Sequence, residues 1–161
     1  TNDIVITTGG VSAGDFDYMP EVIRRIDGEL LFHRLKFKPG GAMLGALKNG
    51  KVILGLSGNP GAAATGLLCV GFPFMRKLCG RSDITFPQTT AYLGSEFKKS
   101  SPVTRILKGH SEFRNGMLYF IPLNNQHNGS VSSMSDCNLL AIIPAGSGPL
   151  EAGTKLEVYI L

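Results

Sequence analysis

Apolar and polar positions change their period along this chain. Ile4, Val5 and Ile6 form an unbroken apolar run that ends in Thr7-Thr8-Gly9-Gly10, the pattern of a strand buried on both faces, as in a parallel sheet. From Tyr18 the period becomes helical: Tyr18, Val22 and Ile26 fall on one face, with Met19 and Ile23 beside them. Asp17 stands where an N-cap belongs, Pro20 suits a first turn and Gly28 an end. Glu29–Lys38 reads as one strand, with Leu31, His33, Leu35 and Phe37 on one side and Arg34, Lys36 and Lys38 on the other. Pro39-Gly40-Gly41 turns the chain, and two short apolar strands, 42–47 and 51–56, flank the hairpin signal Asn49-Gly50. Asn59-Pro60 then opens an apolar helix that Pro73 should kink or split, with Gly80 as its stop.

Past residue 82 helical periodicity ends. Short strands at 89–93, 103–108, 112–114, 117–122, 139–144 and 155–161 alternate with turns, Asn115-Gly116 among them, as in a small barrel or sandwich. The expected fold class is α/β: part of a three-layer αβα domain over residues 1–82, then a small all-β, barrel-like domain over 83–161. The first part has too few elements to complete a doubly wound sheet, so the chain reads as a C-terminal fragment. Its sheet is expected to carry an exposed edge.

Composition narrows this picture. The chain has 161 residues and is 43% hydrophobic and 17% charged, enough apolar matter for a core and unlike a disordered chain. Sixteen basic residues against 12 acidic ones give a net charge of +4. That balance suits an anionic small ligand and is weak for a nucleic-acid protein, since no arginine stripe accompanies it. No apolar run is long enough to span a membrane. Cys69, Cys79 and Cys137 match neither a disulfide framework nor a zinc pattern, so a reducing, cytoplasmic setting is expected.

Several segments carry candidate chemistry. The glycine-rich turn from Thr7 to Ser12 follows a strand and precedes a helix; it reads as a phosphate cradle of backbone N–H groups or as a plain turn. Neither a P-loop nor a dinucleotide fingerprint is present. Asp15 and Asp17 are Mg²⁺ ligands or, alternatively, a loop residue and an N-cap. Arg34, Lys36 and Lys38 are an oxyanion-binding face or an exposed polar one. Ser57-Gly58-Asn59-Pro60 repeats the strand–loop–helix design, as a second anion site or a capped helix. The polar run 124–135 is ligand lining or surface loop. His127 has no metal-spaced partner, and His33 and His110 read as structural. No activated serine or cysteine motif appears.

Taken together, TTGGVSAGDFDY at 7–18, LKFKPGGAMLGA at 35–46, GLSGNPGAA at 55–63 and SVSSMSDCNLLAIIPAGSGPLEAGTKLEVYIL at 130–161 resemble the MoeA/gephyrin E-domain family of molybdopterin molybdenumtransferases. The resemblance implies insertion of molybdate into adenylylated molybdopterin with release of AMP, assisted by Mg²⁺. It implies that Thr8, Gly9, Gly10 and Ser12 contact phosphate, and that Asp17 acts in catalysis through the metal. Lys38 matches the lysine of the family's KPG motif, and Arg34 falls where a basic residue is usual. Ser57, Gly58, Asn59 and Pro60 form the second loop. Ser132 and Ser133 match a serine pair placed near a partner subunit's site. A homodimer and an encounter with the molybdopterin adenylyltransferase are further implications. One departure stands out: the family commonly reads KPGKP, whereas Gly41 and Ala42 here replace a lysine and a proline. Alternative readings are a non-catalytic molybdopterin-binding or scaffold module and a MogA-type adenylyltransferase.

Overall fold

The computed structural model describes residues 2–12, 17–129 and 131–161. Among the described residues ten strands form two sheets, accompanied by three α-helices. Strands β1 (Ile4–Thr8), β2 (Glu29–His33), β4 (Leu44–Lys48) and β5 (Lys51–Leu56) make a four-stranded sheet in the order β1-β5-β4-β2. Only β1 and β5 run parallel in it; β5–β4 and β4–β2 are antiparallel. Alternation along the central strands sends apolar side chains to both faces. Leu44, Ala46 and Ile53 pack with Val11, Met19 and Ile23 beneath helix α1 (Met19–Arg25). Leu54 and Leu56 pack on the opposite face with Ala63, Leu67 and Val70 of the second helical segment. The result is an αβα sandwich.

Some local expectations change. β1 lies at the sheet edge, with Val5 43% and Ile6 42% exposed, and is not buried on both faces. The buried stripe of α1 is Met19 and Ile23, while Tyr18, Val22 and Ile26 face outward. Tyr18, not Asp17, occupies the N-cap position. Asp27, not Gly28, takes the left-handed turn beyond the helix, with φ 50°. At Asn49-Gly50 and Asn115-Gly116 both residues have positive φ, as a two-residue type I′ turn requires.

The long apolar helix is three pieces: α2 (Pro60–Gly66), a π turn (Leu67–Gly71) and α3 (Phe72–Leu78). Pro73 brings no N–H to the helical ladder, and the wider turn just before it absorbs the missing bond without ending the helix. Arg76 of α3 then pins the connection to the second sheet. Its guanidinium donates to the Thr85 carbonyl at 2.9 Å and lies over the rings of Phe72 and Phe86.

Strands β6 (Gln88–Leu93), β7 (Thr104–Arg114), β8 (Met117–Pro122), β9 (Leu139–Ile143) and β10 (Lys155–Ile160) form a closed five-strand barrel, because β7 pairs with both β8 and β9. The two strands expected at 103–108 and 112–114 are one continuous β7. Ala91, Leu93, Leu107, Phe120, Leu139, Ala141, Ile143, Leu156 and Val158 fill its interior. No helix among the described residues is long and apolar enough to cross a membrane.

The chain expected as one strand from Glu29 to Lys38 is broken. Arg34 adopts φ 68°, β2 ends at His33, and Phe37–Lys38 forms a two-residue β3 that joins the barrel beside β7. The excursion returns through Gly40, which has φ 96° and lies against α2; a Cβ there would stand 2.6 Å from the Gly66 nitrogen and 2.9 Å from the Ala62 carbonyl oxygen. Gly40→Ala is expected to cost about 1–3 kcal/mol, from left-handed strain and backbone collision together. Gly50→Ala, left-handed but in open space, should cost only about 1 kcal/mol. Chemical denaturation of both variants checks the difference.

Candidate functional site

Two adjoining cavities collect most of the predicted site residues. One, about 280 Å³, is lined by Gly9, Gly10, Ser12 and Asp17 of the first loop and by Ser57, Gly58 and Asn59 of the second. The other, about 440 Å³, is lined by Ser12, Ser57 and Asn59 together with Arg34, Lys38 and Asn128. Ser12, Ala42, Ser57 and Asn59 belong to both. The parallel pairing of β1 with β5 explains the meeting. Thr8 aligns with Leu56, so the two loops leave adjacent strand ends on the same side.

Within the loops the backbone N–H groups are not equally available. Gly9 donates to the Leu56 carbonyl at 2.9 Å. In the second loop Asn59 N–H is held by Ser57 Oγ at 3.2 Å, Pro60 has none, and Gly61 donates to the Asn128 carbonyl at 2.7 Å. The Asn59 side chain does not cap α2. Of the second loop's N–H groups, those of Asn59 and Gly61 are therefore met by protein groups, while Gly58 and Ala62 keep theirs without a backbone acceptor among the described residues. Gly10, Val11 and Ser12 keep their N–H groups without a backbone acceptor among the described residues. Donors without a backbone acceptor therefore remain in both loops, beside the cations.

Arg34 and Lys38 both line the 440 Å³ cavity, yet they do so from different elements, because the strand breaks between them. The expected three-cation strand face does not form, and Lys36 is not among the lining residues. The cavity's described lining contains no carboxylate, so it is electropositive. Gly41 explains the departure from the KPGKP pattern: a Cβ there would overlap the carbonyl oxygens of Phe37 and Leu35. A lysine at this position needs a different local backbone.

Thr8 and Pro60 flank the cavities without lining them. Ser132 lines a separate cleft of about 670 Å³ with His110 and Asp136, which shares no lining residue with the other two. The side chain of Ser133, and Asp15 as a whole, lie outside the described residues. Among the described residues no group of three or more His, Cys, Asp or Glu could hold a metal unaided.

Sequence reasoning missed the supports. The side-chain N–H of His33 (Nε2) reaches the Val11 carbonyl at 2.9 Å, tying the end of β2 to the glycine loop. Gln126 answers both backbone groups of Lys108, its Oε1 accepting at 3.2 Å and its Nε2 donating at 2.7 Å. Lys108 is fully buried and donates from Nζ to the His127 carbonyl at 3.2 Å; burial pulls its pKa below the usual lysine range. These contacts hold residues 126–127 against β7, and the Gly61 bond to the Asn128 carbonyl sets residue 128 against α2 in the cavity wall. The one available signal was the density of amide side chains at 124–128, which does not distinguish a strap from a surface loop.

Burial raises the Cys69 thiol to about 11 and lifts Cys137 as well, so neither is a ready nucleophile.

The sequence of residues 1–77 matches the family model described as a probable molybdopterin binding domain, and residues 90–161 match the MoeA C-terminal region, domain IV. The molybdopterin molybdenumtransferases of Staphylococcus aureus and Staphylococcus epidermidis are each 35% identical over 160 residues, covering 99% of this chain and 38% of the relative. The chain thus spans well under half the length of these curated relatives. Among solved structures, a molybdopterin biosynthesis MoeA protein of Pyrococcus horikosii superposes with a TM-score of 0.76 at 24% identity, over 98% of this chain and 37% of that one. A molybdenum cofactor biosynthesis protein of Pyrococcus furiosus gives 0.70 at 19% identity, over 99% and 49%. These two likenesses concern the fold.

Two outcomes follow from the supports and the thiols. His33→Ala removes the bond to Val11, with an expected cost of about 1–2 kcal/mol and faster amide exchange at Gly9 and Met19, whose N–H groups bond the Leu56 and Gly10 carbonyls on either side of it, read by hydrogen-exchange mass spectrometry. Thiol labelling at pH 8 is expected to modify the exposed Cys79 and to leave Cys69 largely unmodified until the protein unfolds.

Proposed function

Because the chain belongs to the MoeA family, carrying a molybdopterin-binding domain and a MoeA C-terminal region, we propose that it acts in molybdenum cofactor biosynthesis. The reaction is insertion of molybdate into adenylylated molybdopterin with release of AMP, divided between a domain over residues 1–82 and one over 83–161. The observation that carries this reading is the pair of joined cavities, one walled by glycine loops and the other by Arg34 and Lys38.

The physical demand of the reaction fits that division. A pterin-linked phosphate needs donors that approach closely without side chains in the way, which the N–H groups of Gly10, Val11 and Ser12 offer. Cleavage of the phosphoanhydride places charge on the departing AMP phosphate. Arg34 and Lys38, fixed beside it, offset that charge in the transition state more than in the ground state. Molybdate is a tetrahedral dianion and draws on the same cations.

A magnesium ion fits the donor set. Mg²⁺ is commonly held by one or two carboxylates, with phosphate oxygens and water completing the shell. Asp17 is the single carboxylate in the described lining of the glycine-loop cavity. When bound, the ion would neutralise phosphate charge and polarise a phosphoryl oxygen. A homodimer belongs to the same reading. It is supported by the exposed apolar residues Tyr18, Val22, Ile26, Leu30 and Leu31, a group that a partner copy would cover. The C-terminal match and barrel favour this reaction over the adenylyltransferase alternative.

The test is AMP release from adenylylated molybdopterin, with and without molybdate, with ligand binding followed in the same sample. Lys38→Ala and Asp17→Asn are each expected to lower molybdate-stimulated release by about 10²-fold or more. Binding without release, in this chain and in a longer MoeA-family chain that contains it, would favour the non-catalytic module. Release that survives both substitutions would sink the site assignment.

A further inference from the structure

Two peptide planes of the first glycine loop are held from their carbonyl side. The Gly10 carbonyl accepts from Met19 N–H at 3.0 Å, and the Val11 carbonyl accepts from His33 Nε2 at 2.9 Å. In a planar trans amide the N–H points opposite to the carbonyl. The first bond therefore turns the Val11 N–H away from Met19, and the second turns the Ser12 N–H away from His33. Val11 lines the 280 Å³ cavity and Ser12 lines both cavities, so the N–H edges of these planes are the ones left to face a ligand. The Met19 donor is main chain and comes with α1. The His33 donor is a side chain, and the sequence alone decides whether it is present.

The placement of His33 depends on a β-bulge. In the ladder of β2 with β4, Leu30 pairs with Ala46 and Phe32 with Gly45, so Leu31 is skipped. Without that extra residue Phe32 would stand opposite Leu44; with it, His33 does. Side chains directly opposite each other share a face of the sheet. Leu44 belongs to the same core cluster as Val11, so the bulge carries His33 to the Val11 side. Bulges re-aim side chains in this way, often beside functional sites. His33 is itself exposed, so it contributes little to the core. Arg34 follows directly, breaks the strand at φ 68° and lines the 440 Å³ cavity. One joint at the end of β2 thus sets both a loop donor and a cation.

We propose that His33 is a positioning residue of the first glycine loop: by holding the Val11 carbonyl it fixes the Val11–Ser12 peptide with its N–H toward bound phosphate. The proposal rests on the reading of that loop as a phosphate cradle. His33 lines neither cavity, so it acts through the backbone and not on the ligand. Without its donor the peptide plane is free to turn and to present a carbonyl oxygen to the anion, which replaces an attraction by a repulsion. A donor fixed before the ligand arrives needs no reorganisation when charge appears beside it.

The experiment titrates this chain with AMP by calorimetry, in phosphate-free buffer, for the wild type, His33→Leu, His33→Gln and Gly50→Ala, with a denaturation curve for each. His33→Leu removes the donor and is expected to weaken AMP binding about tenfold, the worth of one hydrogen bond to a charged group. His33→Gln keeps an amide N–H able to take the place of Nε2 and should restore affinity to within about threefold of the wild type. Gly50→Ala changes a hairpin residue that lines neither cavity; it should lose stability and leave AMP affinity unchanged, which separates positioning from loosening of the fold. Equal AMP affinity in the wild type and His33→Leu overturns the proposal, as does a loss that His33→Gln does not recover. A wild type that binds no AMP overturns it together with the phosphate reading of the loop. The expected pattern in a chain that shows no molybdate-stimulated AMP release supports it and counts only against the reaction.

Discussion

The excursion of residues 34–43 out of the first sheet is the constraint on which the site depends. Arg34 turns left-handed at the end of β2, and its N–H bonds the Met43 carbonyl at 2.8 Å, while Leu35 N–H bonds the Gly41 carbonyl at the same distance. These bonds close the neck of a loop whose tip reaches the barrel. The tip carries Lys38 into register with Arg105, and the turn after it brings Gly40 against the backbone of Gly66. One local break therefore places two cations, joins two domains and shapes a cavity. Removing it would restore an ordinary strand and leave the glycine loops without a cationic wall.

The barrel answers from its own side. Gln126 substitutes for a neighbouring strand along Lys108, and the buried ammonium of Lys108 holds the His127 carbonyl. That strap hands the Asn128 carbonyl to Gly61 N–H at the start of α2. The helix start thus also carries a domain contact through Gly61, while Gly10–Ser12 and Gly58 keep N–H groups without a backbone acceptor among the described residues. The electrostatic character of the site comes from side chains on a linking loop more than from helix dipoles. Such a site is sensitive to ionic strength where its cations remain exposed.

Burial shows where chemistry is kept out. Cys69 and Cys137 are held protonated by desolvation, and Lys108 is tied to the His127 carbonyl. What lines the cavities beside the glycine loops is a carboxylate, two cations and N–H groups without a backbone acceptor among the described residues, a set suited to binding and orienting phosphates rather than to covalent attack.

Sequence alone determined much of the framework, because its signals are local. Apolar runs and turn dipeptides marked β5, β8 and both Asn-Gly hairpins, and the glycine loops stood where strand ends would bring them together. Resemblance in four ordered segments points to the family from the sequence alone. Other features could be decided only in three dimensions. The apolar run Leu30–Phe32 passes directly into the alternation of Leu35 and Phe37 with Arg34, Lys36 and Lys38, so nothing local reveals that Arg34 breaks the strand; the break is stabilised by bonds to Gly41 and Met43, which lie beyond it. The spent N–H of Gly9 and Gly61, the pairing of Lys38 with Arg105 and the role of His33 likewise depend on partners distant along the chain. Local preference sets which backbone shapes are cheap, while the partner each hydrogen-bonding group or charge finally meets is fixed by packing.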